Sequence, residues 1–163
     1  MPPLDDALEF PQRGHPAHLP AFTPTNRAVI QFVTVCTKDR RPCLNTSDMH
    51  DILRRVWTDD THYRVGRYLL MPDHVHLFCS PSVWPPPPLG TWMRYWKSTA
   101  ARQNPNPEGK LWQREYWDTQ LRYHDSYAAK WNYILNNPVR AGLVTDSADW
   151  PYQGEIHRLR WHD

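Results

Sequence analysis

The stretch YLLMPDHVHLFCSP, from Tyr68 to Pro81, decides the fold of this chain. Two apolar runs meet at Pro72-Asp73, a pair that is typical of tight turns. Apolar runs of this length on both sides of a turn predict two antiparallel strands that are joined directly. The second run also contains two histidines one residue apart, His74 and His76.

The two faces of this second strand carry different residues. Side chains alternate across a strand, so one face presents Val75, Leu77 and Cys79, and the other presents His74, His76 and Phe78. The first set is wholly apolar, so we expect that face to meet the core. The histidine face should then lie opposite the core.

The chain on either side of this hairpin alternates between strand and helix patterns. β-Branched residues predict a strand at 28–37, and helical spacing predicts a helix at 45–57 with Thr46 or Ser47 as its N-cap. A second helix is predicted at 89–103, after four consecutive prolines, and a partial strand at 111–122. A third helix at 125–137 is capped by Asp125 or Ser126 and ended by Pro138.

This order of elements predicts an α+β fold. The succession β-α-β-β-α-β-α is that of a ferredoxin-like βαββαβ antiparallel sheet with helices on one face, extended by an additional C-terminal helix. A chain of 163 residues supports one domain, which we assign to 28–154. The proline-rich segment 1–27 is expected to be an extended or disordered arm, and 155–163 a C-terminal tail.

The composition says more about the cellular compartment of the protein than about its binding partner. The 19 Lys and Arg residues against 17 Asp and Glu give a net charge of +2, which neither requires nor excludes a nucleic-acid partner. The three cysteines form no C-x-x-C pair and are expected to be reduced thiols. The sequence shows no signal peptide and no apolar run long enough to cross a bilayer, so we expect a cytoplasmic protein.

The histidine pair has two interpretations. Two imidazoles on one face of a strand lie roughly 6 to 7 Å apart and can grip one cation. The alternative is that His74 and His76 only face solvent or make ordinary hydrogen bonds. If they bind a metal, a third ligand must come from elsewhere in the fold, and neutral nitrogen and oxygen ligands with room for phosphate suit Mg²⁺ or Mn²⁺ acting as a Lewis acid.

The third predicted helix places one tyrosine away from its apolar stripe. At 100° per residue the stripe consists of Tyr127, Trp131, Ile134 and Leu135. Tyr133 lies nearly opposite, on the side of Lys130 and Asn137. If this helix crosses the histidine face, Tyr133 would be placed to attack a phosphodiester beside a metal, although a half-exposed tyrosine without a catalytic role has equal weight.

At this point the sequence resembles a known family, the single-tyrosine HUH transposases, and within it the REP-associated tyrosine transposases. YLLMPDHVHLF is similar to their His-hydrophobic-His strand, and LWQREYWDTQLR (111–122) to the aromatic segment before their catalytic helix. YILNNPVRAGLV (133–144) resembles their tyrosine helix and its exit, and SADWPYQG (147–154) the segment that follows. The matches keep their order over 28–153.

The resemblance implies a function and a site. The family's roles fall on Tyr133 as the nucleophile and on His74, His76 and Asn137 as ligands of a divalent metal, Mg²⁺ or Mn²⁺. The implied substrate is single-stranded DNA with hairpin, or palindromic, elements. Cleavage would leave a 5′-phosphotyrosine and a free 3′-OH, which is the chemistry of a transposase and endonuclease acting as a monomer or homodimer.

Residues that would contact DNA are predicted mainly from basic and aromatic positions. The second predicted helix interleaves cations for phosphates with rings for unpaired bases, although an amphipathic helix with its rings turned inward has equal weight. The predicted DNA-binding residues are Arg94, Trp96, Lys97, Arg102, Arg122, Lys130 and Arg140.

Two other functions fit the same sequence. One is a metal-dependent phosphoesterase in which water attacks in place of Tyr133. The other is a non-catalytic nucleic-acid-binding domain, since ferredoxin-like sheets host many such binders.

Overall fold

The computed structural model describes residues 29–163, so the predicted arm at 1–27 lies outside the described residues. Within 29–163 five strands form one antiparallel sheet in the order β4-β1-β3-β2-β5. The strands are β1 Gln31–Cys36, β2 Tyr63–Met71, β3 His74–Pro81, β4 Trp117–Gln120 and β5 Gln153–Glu155. The order of the first four strands is that of the ferredoxin-like fold, and the α+β prediction is confirmed. The edge strand β5 was not predicted.

The predicted helices form close to their expected bounds. They are α1 Ser47–Asp59, α2 Leu89–Gln103, α3 Tyr127–Leu135 and the short α4 Asn137–Arg140. The sequence left two candidate N-caps for each of α1 and α3. In the structure Thr46 caps α1 by accepting from the Met49 amide at 3.1 Å, and Ser126 caps α3 by accepting from the Ala129 amide at 3.1 Å. Because Pro138 has no N–H to donate, α3 ends at Leu135 and α4 begins after a break at Asn136.

One face of the sheet packs against α1 and α2. The apolar face of β3, with Val75, Leu77 and Cys79, lies at the centre of this core, as predicted. Trp57 of α1 and Trp96 of α2 contact each other edge to face at 5.5 Å between ring centroids, and both are completely buried. Large aromatic rings supply a substantial part of the volume on this side, together with aliphatic residues.

The opposite face of the sheet is also a core, which corrects the expectation that the histidines would face away from one. Helix α3 and the last residues of the chain cover it with a second apolar cluster that includes Phe78 and Tyr127. His74 is 6% exposed and His76 is 0% exposed. The histidines are therefore buried polar groups, which need hydrogen-bond partners inside the protein.

Residues after 154 belong to the packed domain and do not form a separate tail. Leu159 is 9% exposed and lies in the cluster under α3. It fits against Gly66 of β2, where a Cβ would approach Leu159 Cδ1 to 2.7 Å and the Tyr127 hydroxyl to 2.9 Å. Only glycine leaves this space, so β2 and the C-terminal segment are matched in shape.

No helix within residues 29–163 is long and apolar enough to span a membrane.

Candidate active site

The two histidines lie side by side at the start of the central strand β3. Their ring centroids are 4.7 Å apart and the rings meet edge to face. Strand pairing places Cys36 opposite His74 and Thr34 opposite His76 on β1. The pair thus occupies one end of the sheet, where β1 and β3 are held in register by their backbone hydrogen bonds.

Each imidazole is oriented through its Nδ1 atom. Nδ1–H of His74 donates to Oδ1 of Asp73 at 2.8 Å, and Nδ1 of His76 lies 2.8 Å from the Thr34 hydroxyl. The Asp73 carboxylate can only accept, so in neutral His74 the proton is on Nδ1 and the lone pair is on Nε2, the atom through which such a histidine binds a metal. The Thr34 hydroxyl can donate to or accept from Nδ1 of His76, so this contact orients the ring and leaves Nε2 pointing away from Thr34. Oxygen atoms behind metal-binding histidines commonly serve this purpose.

The turn between β2 and β3 is clamped by the loop after β1. Thr37 donates to the Asp73 carbonyl from its amide at 2.9 Å and from its hydroxyl at 3.2 Å. Nε of Arg40 donates to Oδ2 of Asp73 at 2.9 Å. Asp39 and Arg40 both adopt positive φ, 57° and 53°, a backbone conformation that non-glycine residues rarely take. The left-handed turn brings Arg40 back onto Asp73.

The charge state of Asp73 follows from these contacts. Burial by itself would raise the pKa of its carboxyl, but hydrogen bonds and electrostatic attraction from His74 and Arg40 outweigh burial and lower the pKa to about 2. Asp73 is therefore an ionised acceptor behind His74 across the physiological pH range.

Helix α3 lies across the histidine face. Its Tyr127 ring meets Phe78 edge to face at 4.9 Å between centroids, and Nζ of Lys130 lies 5.7 Å from the centre of the Phe32 ring. Phe32 in turn stacks on His76 at 5.4 Å with an angle of 22° between the planes. Lys130 and His76 are therefore separated by one aromatic ring, and the predicted placement of the tyrosine helix agrees with these contacts.

The two tyrosines of α3 have opposite environments. Tyr127 is 6% exposed, its hydroxyl accepts from the Arg67 amide at 3.2 Å, and burial raises its pKa to about 12. Tyr133 is 41% exposed. Only an accessible hydroxyl can reach a DNA phosphate, so Tyr133 is the tyrosine of this helix that is available for attack.

Tyr133, Asn137 and Arg140 form one cluster at the end of α3. The Arg140 guanidinium lies 4.3 Å from the centre of the Tyr133 ring and donates to the Tyr133 carbonyl at 3.0 Å through Nη1. Its Nη2 donates to Oδ1 of Asn137. Asn137 is 6% exposed, so its side-chain oxygen faces the protein interior and not solvent. Arg140 thus links the candidate nucleophile to the candidate third ligand.

The structure corrects two of the predicted DNA-binding residues on α2. Trp96 is 0% exposed and lies in the core among other tryptophans, so its ring cannot stack on a base. Lys97 is 9% exposed, its Nζ donates to the Gln113 and Arg114 carbonyls at 2.8 and 3.3 Å, and burial lowers its pKa to about 8. The amphipathic alternative for this helix therefore holds for Trp96, whereas Lys97 is buried and belongs to neither interpretation.

The other predicted DNA contacts are accessible to different degrees. Arg94, Arg102 and Arg122 are exposed, whereas Lys130 and Arg140 are half-buried beside the candidate active site. All five remain predictions as DNA-binding residues.

Sequence reasoning missed the residues that hold the histidines. Asp73 was interpreted only as part of a turn, and Thr34 only as part of an apolar strand. Both left a signal: Asp73 directly precedes the pair, and Thr34 is a polar residue between the apolar Val33 and Val35. Within residues 29–163 no group of three His, Cys, Asp or Glu side chains is arranged to hold a metal ion, so a third ligand beside the pair would have to be of another residue type.

A ferredoxin-like sheet with a buried histidine pair and a tyrosine helix across it defines a class, and comparison with known proteins identifies it. The model of the family described as IS200-like transposases matches residues 26–137, more than half of the chain. The protein is therefore a transposase. It belongs to the IS200-like transposase family.

Two curated relatives are similar over most of their length. A putative REP-associated tyrosine transposase of Haemophilus influenzae is 27% identical over 145 residues, which cover 79% of this chain and 80% of the relative. The REP-associated tyrosine transposase of Escherichia coli K12 is 26% identical over 133 residues, which cover 78% of this chain and 76% of the relative.

A solved structure supports the fold. A REP-associated tyrosine transposase bound to a REP hairpin superposes with a TM-score of 0.66 at 22% identity, over 86% of this chain and 81% of that one. At this identity the likeness bears on the fold only, and it agrees with the strand order described above.

Proposed function

We propose that this transposase nicks and rejoins hairpin-bearing single-stranded DNA through a covalent 5′-phosphotyrosine on Tyr133, with a divalent metal ion held by His74, His76 and Asn137. The observation that carries the proposal is the packing of α3 on the histidine face of β3. Lys130 reaches Phe32, and Phe32 stacks on His76. The same helix buries one tyrosine and exposes the other.

The donor set fits a divalent metal. His74 and His76 are adjacent, and each is oriented by an oxygen atom at Nδ1, which leaves Nε2 as the atom that would bind the metal. The Asn137 oxygen accepts from Arg140 and retains a second lone pair, so it suits a role as third ligand. Mg²⁺ or Mn²⁺ at such a site supplies Lewis-acid polarisation of a phosphate oxygen.

The attack on phosphorus and the stabilisation of charge would be carried out by side chains of the protein. The Tyr133 hydroxyl loses its proton and attacks the phosphorus, so that a Tyr133 Oη–P bond forms while the bond from phosphorus to the 3′ oxygen breaks. The leaving 3′ oxygen takes up a proton and departs as a free 3′-OH. The Arg140 guanidinium lies over the Tyr133 ring and places positive charge beside the attacking group, and Lys130 provides a positive charge for the phosphate.

A covalent intermediate distinguishes joining from simple hydrolysis. The phosphotyrosine keeps the energy of the broken phosphodiester, so a 3′-OH can attack it, reform the DNA linkage and release Tyr133. Water as the nucleophile would leave a terminal phosphate that cannot be resealed without further activation. The tyrosine mechanism therefore accounts for strand transfer as well as cleavage.

The substrate class comes from the relatives. Both curated relatives are named REP-associated, and the similar solved structure is described as bound to a REP hairpin. We extend this to the present chain and propose palindromic DNA hairpins with unpaired flanks as its substrate.

The test is formation of a protein–DNA adduct. Wild-type protein incubated with a hairpin-bearing, end-labelled single strand and Mn²⁺ is expected to give a product that survives denaturing electrophoresis. Tyr133→Phe should abolish it, whereas Tyr127→Phe is a matched control on the same helix and should keep it. An adduct in Tyr133→Phe, or cleavage without any adduct, would show that another nucleophile or water attacks.

A second experiment separates catalysis from binding. His74→Ala and His76→Ala are expected to abolish cleavage while hairpin affinity, measured by fluorescence anisotropy in EDTA, stays near that of wild type. A wild-type protein that binds the hairpin but never cleaves it with any divalent metal would favour a non-catalytic binding domain.

A further inference from the structure

Three aromatic rings stack at the surface beside the start of α3. Tyr123 and His162 lie 4.6 Å apart between ring centroids, with 25° between their planes. His162 and Trp161 lie 4.8 Å apart at 33°. We call Tyr123, His162 and Trp161 the aromatic ladder. Tyr123 is 65% exposed, the largest exposed fraction among the large hydrophobic side chains of the described residues.

The aromatic ladder is fixed to the helix that carries Tyr133. The indole N–H of Trp161 donates to the Asp125 carbonyl at 2.8 Å. The Asp163 carboxylate accepts from the Ala128 amide at 3.2 Å and from the Ser126 hydroxyl, which itself caps α3. The rings are therefore held against the loop between β4 and α3 by hydrogen bonds to Asp125, just before the capping Ser126, and to Ser126 and Ala128.

The surroundings of the aromatic ladder are basic. Arg122 precedes Tyr123, and Arg158 and Arg160 precede Trp161; all three are exposed. The two carboxylates of the same segments accept hydrogen bonds from the chain itself, Asp125 from the Arg122 amide at 2.7 Å and Asp163 from the cap of α3. Exposed rings beside arginines are the composition of surfaces that bind single-stranded nucleic acid.

We propose that the aromatic ladder is a stacking site for an unpaired base of the DNA strand, with the base resting on Tyr123. The inference rests on the proposed function, because it assigns part of the substrate to a surface outside the candidate active site. Tyr133 lies seven residues after Ser126, roughly 10 Å along the helix. A strand held on Tyr123 is thereby kept within a few nucleotides of the hydroxyl that attacks.

The test compares two DNA probes in EDTA, so that binding is measured without cleavage. One probe is a fluorescein-labelled oligothymidylate, and the other is a blunt hairpin with no unpaired flank. Tyr123→Ala is expected to weaken oligothymidylate binding by about fivefold or more, since each stacked base contributes substantially to affinity. The Kd for the blunt hairpin should stay the same.

Tyr123→Phe is the matched control, because it keeps the ring and removes the hydroxyl. It should bind oligothymidylate like wild type, and His162→Ala, which removes the support under Tyr123, should weaken binding. Thermal unfolding of each variant checks that the exposed substitutions leave the fold intact.

The possible outcomes separate this inference from the proposed function. If wild type binds both probes and Tyr123→Ala matches it, the stacking site is wrong and the proposed function stands. Equal loss in Tyr123→Ala and Tyr123→Phe, or equal loss for both probes, also overturns stacking. A wild-type protein that binds neither probe overturns the proposed function together with the stacking site.

Discussion

The two faces of β3 use alternate residues of one strand for different purposes. On one face Val75, Leu77 and Cys79 fill volume against α1 and α2. On the other face His74 and His76 are equally buried, but each is held by an oxygen atom, from Asp73 and Thr34. Burial thus serves stability on one face and orientation on the other.

This difference shows why a buried position does not by itself reveal its role. Packing tolerates any side chain of suitable shape, whereas an oriented imidazole requires its partner as well. Substitutions of neighbouring residues on β3 should therefore separate the two roles. A substitution on the apolar face should lower the free energy of unfolding, whereas one on the histidine face should lower the activity.

The largest effects are expected from the neighbours Leu77 and His76. Leu77→Ala should lower the free energy of unfolding by about 2 to 5 kcal/mol, because it leaves a cavity at a residue that is 0% exposed. His76→Gln should lower stability by less than about 2 kcal/mol, because the amide keeps a hydrogen-bonding group near Thr34. Adduct formation with Mn²⁺ should nevertheless fall by about a hundredfold or more in His76→Gln.

Urea denaturation and the adduct assay, applied to both variants, check this separation. A His76→Gln variant that remains fully active would remove the metal role from this face. A Leu77→Ala variant that is folded but inactive would show that the apolar face also bears on the reaction.

An intermediate effect is expected at Asp73, which holds the proposed metal ligand His74. Asp73→Asn should weaken Mn²⁺ binding by about 10- to 100-fold, because a neutral amide orients His74 less firmly than a carboxylate. Arg40→Gln, which removes the cation that holds Asp73 and leaves the carboxylate in place, should have a smaller effect in the same direction. Isothermal titration of Mn²⁺ into the protein without DNA measures both. Unchanged affinity in Asp73→Asn would mean that the turn alone orients His74.

The smallest effect concerns a buried charge on the apolar side of the sheet. Burial lowers the Lys97 pKa to about 8 from its usual 10.5, so between these values the unfolded chain binds more protons than the folded one. Stability therefore rises with pH over that window. Relative to Lys97→Met, the free energy of unfolding of wild type should increase by about 2 kcal/mol between pH 7 and 9.5.

Urea denaturation of the two proteins at several pH values measures this difference, and subtracting the variant cancels the other titrating groups. A difference between the two proteins that does not change with pH would contradict the lowered pKa of Lys97.

The sequence predicted most of the fold because its local signals agree with one another. The β-branched residues of β1, the alternation in β3, the Pro72-Asp73 turn and the caps Thr46 and Ser126 each point to the observed element. Strand β5 escaped because it is three residues long and pairs with β2 through contacts that are distant in sequence. No local period marks so short a strand.

The candidate site was predictable in part. The helical wheel separated Tyr133 from Tyr127, and the structure gives the two tyrosines the expected difference in exposure. For α2 the sequence left Trp96 open as a base-stacking residue, because composition cannot tell an inward ring from an outward one. Asp73 and Thr34 depend on strand register between β1, β2 and β3, which a sequence without its fold does not supply.

The packing of residues 153–163 bears on how the protein folds during its synthesis. Strand β5, Leu159 and the Asp163 contact to the α3 cap all follow Tyr133 in the chain, yet they complete the sheet edge, the second core and the anchor of the tyrosine helix. On the ribosome, Tyr133 emerges before any of them. Domains fold as units during synthesis, so the face that carries Tyr133 should mature only after residues 153–163 have been made, and a chain that stops before them would carry Tyr133 on a helix that is not yet anchored.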